Sequence, residues 1–169
     1  LHRGSLLTSI IAALCATLKE TGMYNRGILE KALNSATQLI NKRSKQSSNY
    51  TRGYNDCFAL LVAYDAFLRK GNSKCKYIKD LEYNSPVEFL KELKRRGYTL
   101  EEFANYCGYE IVTNKRPMFG DIAYEHGSAM IASDGWWVST SECNEGVSNK
   151  RQINFIERRL ILLARPIRS

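Results

Sequence analysis

"NDCFALLVAYDAFLRKG", Asn55 to Gly71, sets one cysteine where an amphipathic helix begins. Asn55 or Asp56 supplies the cap, Cys57 falls in the first turn, and Gly71 ends the helix just past Arg69. Unpaired N–H groups at a helix N-terminus lower the pKa of a thiol there, and only the thiolate is a good nucleophile. Buried cysteine is equally a common packing residue. Position alone therefore leaves Cys57 open between nucleophile and core filler. The other four cysteines are placed less well for chemistry: Cys15 and Cys107 late in helices, Cys75 in a lysine-rich loop, Cys143 in an acidic-polar loop.

Before this helix, Leu6, Leu7, Ile10, Ile11, Leu14 and Leu18 recur at helical spacing and predict a helix from Ser5 to Glu20, stopped by Gly22. Ile28, Leu29, Leu33, Ala36, Leu39 and Ile40 predict a second helix from about Asn25 to Lys42, followed by a polar linker, Lys42 to Asn49. The two would form a hairpin, so residues 1–48 read as a hairpin-and-linker unit and 49–169 as a second domain. The hairpin either packs on its own domain or docks on other subunits through Leu6, Leu7, Ile10, Ile11 and Leu14. The stretch Leu6 to Leu18 is too short to span a bilayer. It is like a signal-peptide core behind His2 and Arg3, yet is expected to be kept and packed. Because the sequence begins with Leu, a start residue or longer leader is expected to precede it.

After the helix, Ser85-Pro86-Val87-Glu88 is a capping box with proline at the first helical position, predicting a helix to Arg96. Thr99 and Glu102 repeat the signal for a short helix to Tyr106. Short strands follow at Glu110–Thr113, Asp121–Tyr124, Ser128–Ala132, Trp136–Thr140 and Leu160–Ala164, with tight turns at Glu125-His126-Gly127 and Ser133-Asp134-Gly135. Helices first and then an antiparallel meander make the fold class α+β.

Composition bounds the function. The chain has 169 residues and a net charge of +8, enough length for a real core and enough charge to attract a polyanion. The basic residues are dispersed, so contact with DNA rests on charge alone. Five widely spaced cysteines without a CxxC pair or a Cys/His cluster argue against zinc and read as thiols reduced in a cytoplasm. There is no phosphate-cradling glycine loop, GxSxG elbow, HExxH or EF-hand pattern, and no cofactor is expected.

The order of parts from Tyr54 to Ile167 resembles the papain-like cell-wall cysteine peptidases of the NlpC and CHAP groups, especially those carried by bacteriophage tails. Tyr54-Asn55-Asp56-Cys57 is similar to the Tyr-x-Asp-Cys that opens their nucleophile helix. Pro117-Met118-Phe119-Gly120-Asp121-Ile122 is similar to their Pro-x-x-Gly-Asp-Ile strand. "SAMIASDGWWVST", Ser128 to Thr140, resembles the strand pair that carries their histidine. Leu163-Ala164-Arg165-Pro166-Ile167 resembles their ending. The resemblance implies a papain-like domain with Cys57 as nucleophile, made in a host cytoplasm, assembled into a virion and able to reach the periplasm.

The same hairpin departs from that pattern. Where the resemblance places histidine this chain has Ser128, or Ala129 with a one-residue slip, and the third polar residue falls near Ser139. A serine hydroxyl cannot serve as a base at neutral pH. His126, two residues early in a tight turn, is the one nearby substitute, and an exposed turn residue is the simpler account of it. Two readings follow. In one, Cys57 and His126 cleave a peptidoglycan amide or stem-peptide bond, with Ser139 as third member and Trp136 or Trp137 against the sugar. In the other, the fold is a structural virion part without catalysis. Alternation along a strand sends one of the two tryptophans inward in either case. Asp56 beside Cys57 is better explained as a cap than as a catalytic acid.

Overall fold

The computed structural model describes residues 6–11, 22–75 and 81–168. Residues 6–11 are helical (α1), with Leu6, Leu7, Ile10 and Ile11 between 49 and 67% exposed. The rest of the expected first helix, with Leu14, Cys15 and Leu18, lies outside the described residues, as does His2.

Four further helices follow. Asn25 caps α2 (Arg26–Gln46) by accepting from the Ile28 N–H at 3.0 Å. Leu29, Ala32, Leu33, Ala36 and Ile40 form its buried stripe. The helix outruns its expected end at Lys42, absorbing much of the linker. It lies along α3 (Cys57–Arg69), and both contribute to one continuous core. The boundary expected near residue 48 therefore does not separate two cores: α2 belongs to the same packed body as α3. The hydrophobic stripe of α2 is as well matched to an adjacent helix of its own domain as to an external arm, and sequence spacing does not distinguish the two.

Helix α3 is buried on nearly every side because it sits between α2 and the sheet. Ser85 caps α4 (Pro86–Arg95), and a reciprocal Thr99–Glu102 capping box opens α5 (Leu100–Tyr106), as the sequence predicts. Phe89 of α4 stacks on Phe58 of α3 at 3.9 Å between ring centroids.

Six antiparallel strands form one sheet in the order β1-β6-β2-β3-β4-β5. They are β1 (Tyr109–Ile111), β2 (Ile122–Glu125), β3 (Ser128–Ala132), β4 (Trp136–Thr140), β5 (Val147–Gln152) and β6 (Leu162–Pro166). The α+β class stands. Sequence reading misses β5: "VSNKRQ" is a polar edge strand with no apolar alternation, and its pairing with β4 contains a bulge. The chain end, β6, inserts between β1 and β2 instead of extending the meander. His126 and Gly127 form the two-residue β2–β3 turn, both at positive φ (44° and 83°), as a tightly twisted hairpin requires.

Alternation along the strands sorts the sheet into two faces. Ile122, Tyr124, Ala129, Ile131, Leu162 and Ala164 face the core shared with α3. Ala123, Met130, Ala132 and Trp137 form a smaller cluster on the opposite face.

Candidate functional site at the N-terminus of α3

Asp56 is the cap of α3: its Oδ1 accepts from the Ala59 N–H at 2.8 Å, and its Oδ2 accepts from the Tyr83 hydroxyl at 2.6 Å. Asn55 has a different task. It accepts from the Thr51 N–H and donates to the Asn49 carbonyl and the Asn144 side chain, tying the approach to the helix against the β4–β5 loop. Both carboxylate oxygens of Asp56 are thus engaged in holding the helix start.

Cys57 takes the first helical position and is only 3% exposed. Burial pushes its thiol up to about 11, helped by the adjacent Asp56 carboxylate. The Ala129 backbone and Arg52 oppose this but do not offset it. The helix N-terminus expected to activate the thiol is outweighed, because desolvation of a thiolate costs more than the helix end returns. Tyr50, Tyr83 and Tyr124 are near enough to be affected by a charge on Cys57, and burial raises all three phenols.

The strand faces show which residue of β3 lies beside Cys57. Ala129 faces α3 and contacts the Cys57 thiol through its backbone. Ser128, one residue earlier, points to the other face by alternation. The same one-residue slip holds on β4. Trp137 faces the small cluster, so Ser139 shares that side and Thr140 turns toward α3. The Thr140 Oγ1 lies 3.5 Å from the Tyr50 hydroxyl, beside the thiol. Ser139 donates to the Ala129 carbonyl at 2.6 Å and is fully buried, a clasp between β3 and β4.

The residues gathered at Cys57 are thus Tyr50, Arg52, Asp56, Tyr83, Tyr124, Ala129 and Thr140. Sequence reading did not select Tyr50, Tyr83, Tyr124 or Thr140, since their assembly joins segments up to 90 residues apart. A period-two count from Trp137 could have found Thr140. His126, the single histidine among the described residues, is exposed on the β2–β3 turn. No hydrogen bond joins it to Cys57, and it is not among the groups shifting that thiol. Trp137 is fully buried, with its indole N–H donating to Glu157 Oε1 at 3.0 Å, so a sugar could meet only Trp136, which is 38% exposed.

Asp121, of the Gly-Asp-Ile motif, works as a strand anchor. It accepts two bonds from Arg165 and one from the Met118 N–H, all at 2.8 Å. Gly120 beside it has φ +85°, and a Cβ there would lie 2.8 Å from the Tyr64 hydroxyl, so the motif glycine serves backbone shape and close packing.

No group of three or more His, Cys, Asp or Glu side chains among the described residues could hold a metal ion. No helix among them is long and apolar enough to cross a membrane. No protein-family model, curated protein or solved structure matches the chain.

Proposed function

We propose that this chain is a bacteriophage virion component, of the tail-associated kind, whose NlpC-like papain-type domain is structural and does not catalyse. The carrying observation is the state of Cys57: a buried thiol, pushed up to about 11, contacting the Ala129 backbone where a base would have to stand. A cysteine hydrolase needs a thiolate and a proton acceptor within hydrogen-bond reach. The surrounding tyrosines, held protonated, offer neither.

The papain-like part of the reading is supported by the cysteine at the start of the central helix, with β3 and β4 packed behind it, in the chain order of that superfamily. The virion part rests on the resemblance to tail-borne members and on α1, whose four large apolar side chains are exposed. In this reading α1 docks on another virion subunit through Leu6, Leu7, Ile10 and Ile11, and the protein is made in the host cytoplasm.

Two measurements test it together. Purified protein and its Cys57→Ala variant should release no peptidoglycan fragments from cell walls. Release by the wild type that the variant loses would restore the active amidase or endopeptidase reading. Leu7→Lys with Ile10→Lys should fold normally, because both side chains are solvent-facing, but fail to enter particles. Unchanged incorporation would remove the assembly role of α1.

A further inference from the structure

At the opposite end of α3 a pair of thiols is unused by any part of the Cys57 site. Cys75 lies in the loop after α3, and Cys107 caps the C-terminus of α5; both are free and buried. Their side chains are near enough for each thiol to feel the other. Both line an apolar cavity of about 50 Å³ bounded also by Leu61, Phe103 and Tyr109, which leaves room for sulfur movement without displacing a polar group. The backbone on each side is held: the Cys75 N–H donates to Ser73 Oγ at 3.2 Å, and the Cys107 N–H donates to the Phe103 carbonyl at 3.0 Å.

We propose that Cys75 and Cys107 form an intramolecular disulfide when the protein meets a disulfide oxidant, stapling α5 to the loop that follows α3. One protein thiol, after losing its proton, attacks a sulfur of the oxidant. The oxidant's S–S bond breaks, one of its halves leaves as a thiol, and a mixed disulfide remains. The second protein thiol then loses its proton and displaces the other half. Two protein thiols give up two electrons and two protons, and the oxidant is reduced to two thiols.

The neighbouring Cys107 side chain, and after it burial, hold the Cys75 thiol protonated, so the native pair reacts only as the loop or α5 opens. The closed ring encloses both α4 and α5, the helices that wall the Phe58 side of α3. A chain assembled under reducing conditions would thereby be locked after transfer to an oxidising one. The inference is independent of whether Cys57 is active.

The full-length native protein is incubated with oxidised glutathione, quenched with acid, alkylated and mapped by peptide mass. The expected product is a Cys75–Cys107 linked peptide pair, two hydrogens lighter than the separate peptides and separated by dithiothreitol. The linked protein should melt roughly 5–10 °C higher, since a ring of this size removes much denatured-state freedom. Recovery of both residues as alkylated thiols, glutathione adducts without a link, or a link from either residue to Cys57 or Cys143 would overturn the proposal. An unchanged or lowered melting temperature of the linked form would overturn the stapling role.

Discussion

The two ends of α3 invite opposite readings. Its N-terminus carries the residues that look chemical, Asp56 and Cys57, yet the thiol there is buried among tyrosines. Its C-terminus, Asp65 to Arg69, reads as ordinary helix, yet holds a buried polar cluster with partners on several elements. Asp65 accepts from Arg69 Nε and the Tyr109 hydroxyl, both at 2.8 Å, and from Ser73 Oγ at 2.5 Å. The remaining guanidinium nitrogens of Arg69 donate to the Ile167 and Gly108 carbonyls at 3.0 and 2.8 Å. This cluster joins α3 to the following loop, to the start of β1 and to the chain end beyond β6. Gly108 must be glycine for it: φ is +87°, and a Cβ would lie 2.9 Å from the guanidinium. Charge buried with every partner in place organises a fold, whereas burial at the helix start keeps the Cys57 thiol in its protonated form.

Breaking the C-terminal cluster should have the largest effect. Asp65→Ala leaves the Arg69 guanidinium buried without its carboxylate, and an unpaired buried charge costs about 3–5 kcal/mol. Urea unfolding measures this. A loss near that of a surface substitution would show that the cluster does not organise the fold as described.

The N-terminal end is tested by its reactivity. With its thiol pushed up to about 11, Cys57 should react with iodoacetamide at pH 8 at least about two orders of magnitude more slowly than an ordinary free thiol, from its thiolate fraction alone. Peptide-resolved alkylation against pH would expose the opposite case, fast labelling near pH 6.5. The raised value also has a sign for stability. The folded state holds the Cys57 proton more tightly than the unfolded chain, so its contribution is complete below the ordinary thiol range. It is lost as pH rises toward 11. Cys57→Ala should therefore flatten that alkaline loss, and identical pH profiles for the two proteins would contradict the burial argument.

Ser139→Ala should show the smallest change. It removes one buried hydrogen bond to the Ala129 carbonyl, worth about 1 kcal/mol, without altering Cys57 alkylation. A change in Cys57 reactivity would return Ser139 to the site.

The local signals were legible because they are carried by neighbours in sequence. The capping residues of α4 and α5, the proline at the start of α4, and the His126-Gly127 turn all follow from contacts spanning a few residues. The β5 strand was not legible, since its polar residues pair only because β4 presents an open edge. The choice between Ser128 and Ala129 was not legible either. Short strands with no visible anchor leave the register uncertain by one residue, and one residue reverses the face. Trp137 supplies that anchor once its burial is known, and it puts Ala129 and Thr140, in place of Ser128 and Ser139, on the face toward Cys57.

The sequence by itself determined the helix boundaries of α3, α4 and α5, most of the strands, the α+β class and the placement of a cysteine in the first turn of the central helix. These depend on caps, turns and periodicity, which act over one or two turns of chain. The tertiary structure alone decided that α2 is core and not arm, that β6 sits inside the sheet, and that Cys57 is buried against Ala129 and three tyrosines. Burial and partner identity are sums over segments far apart in sequence, and it is burial, more than helix position, that sets the state of that thiol.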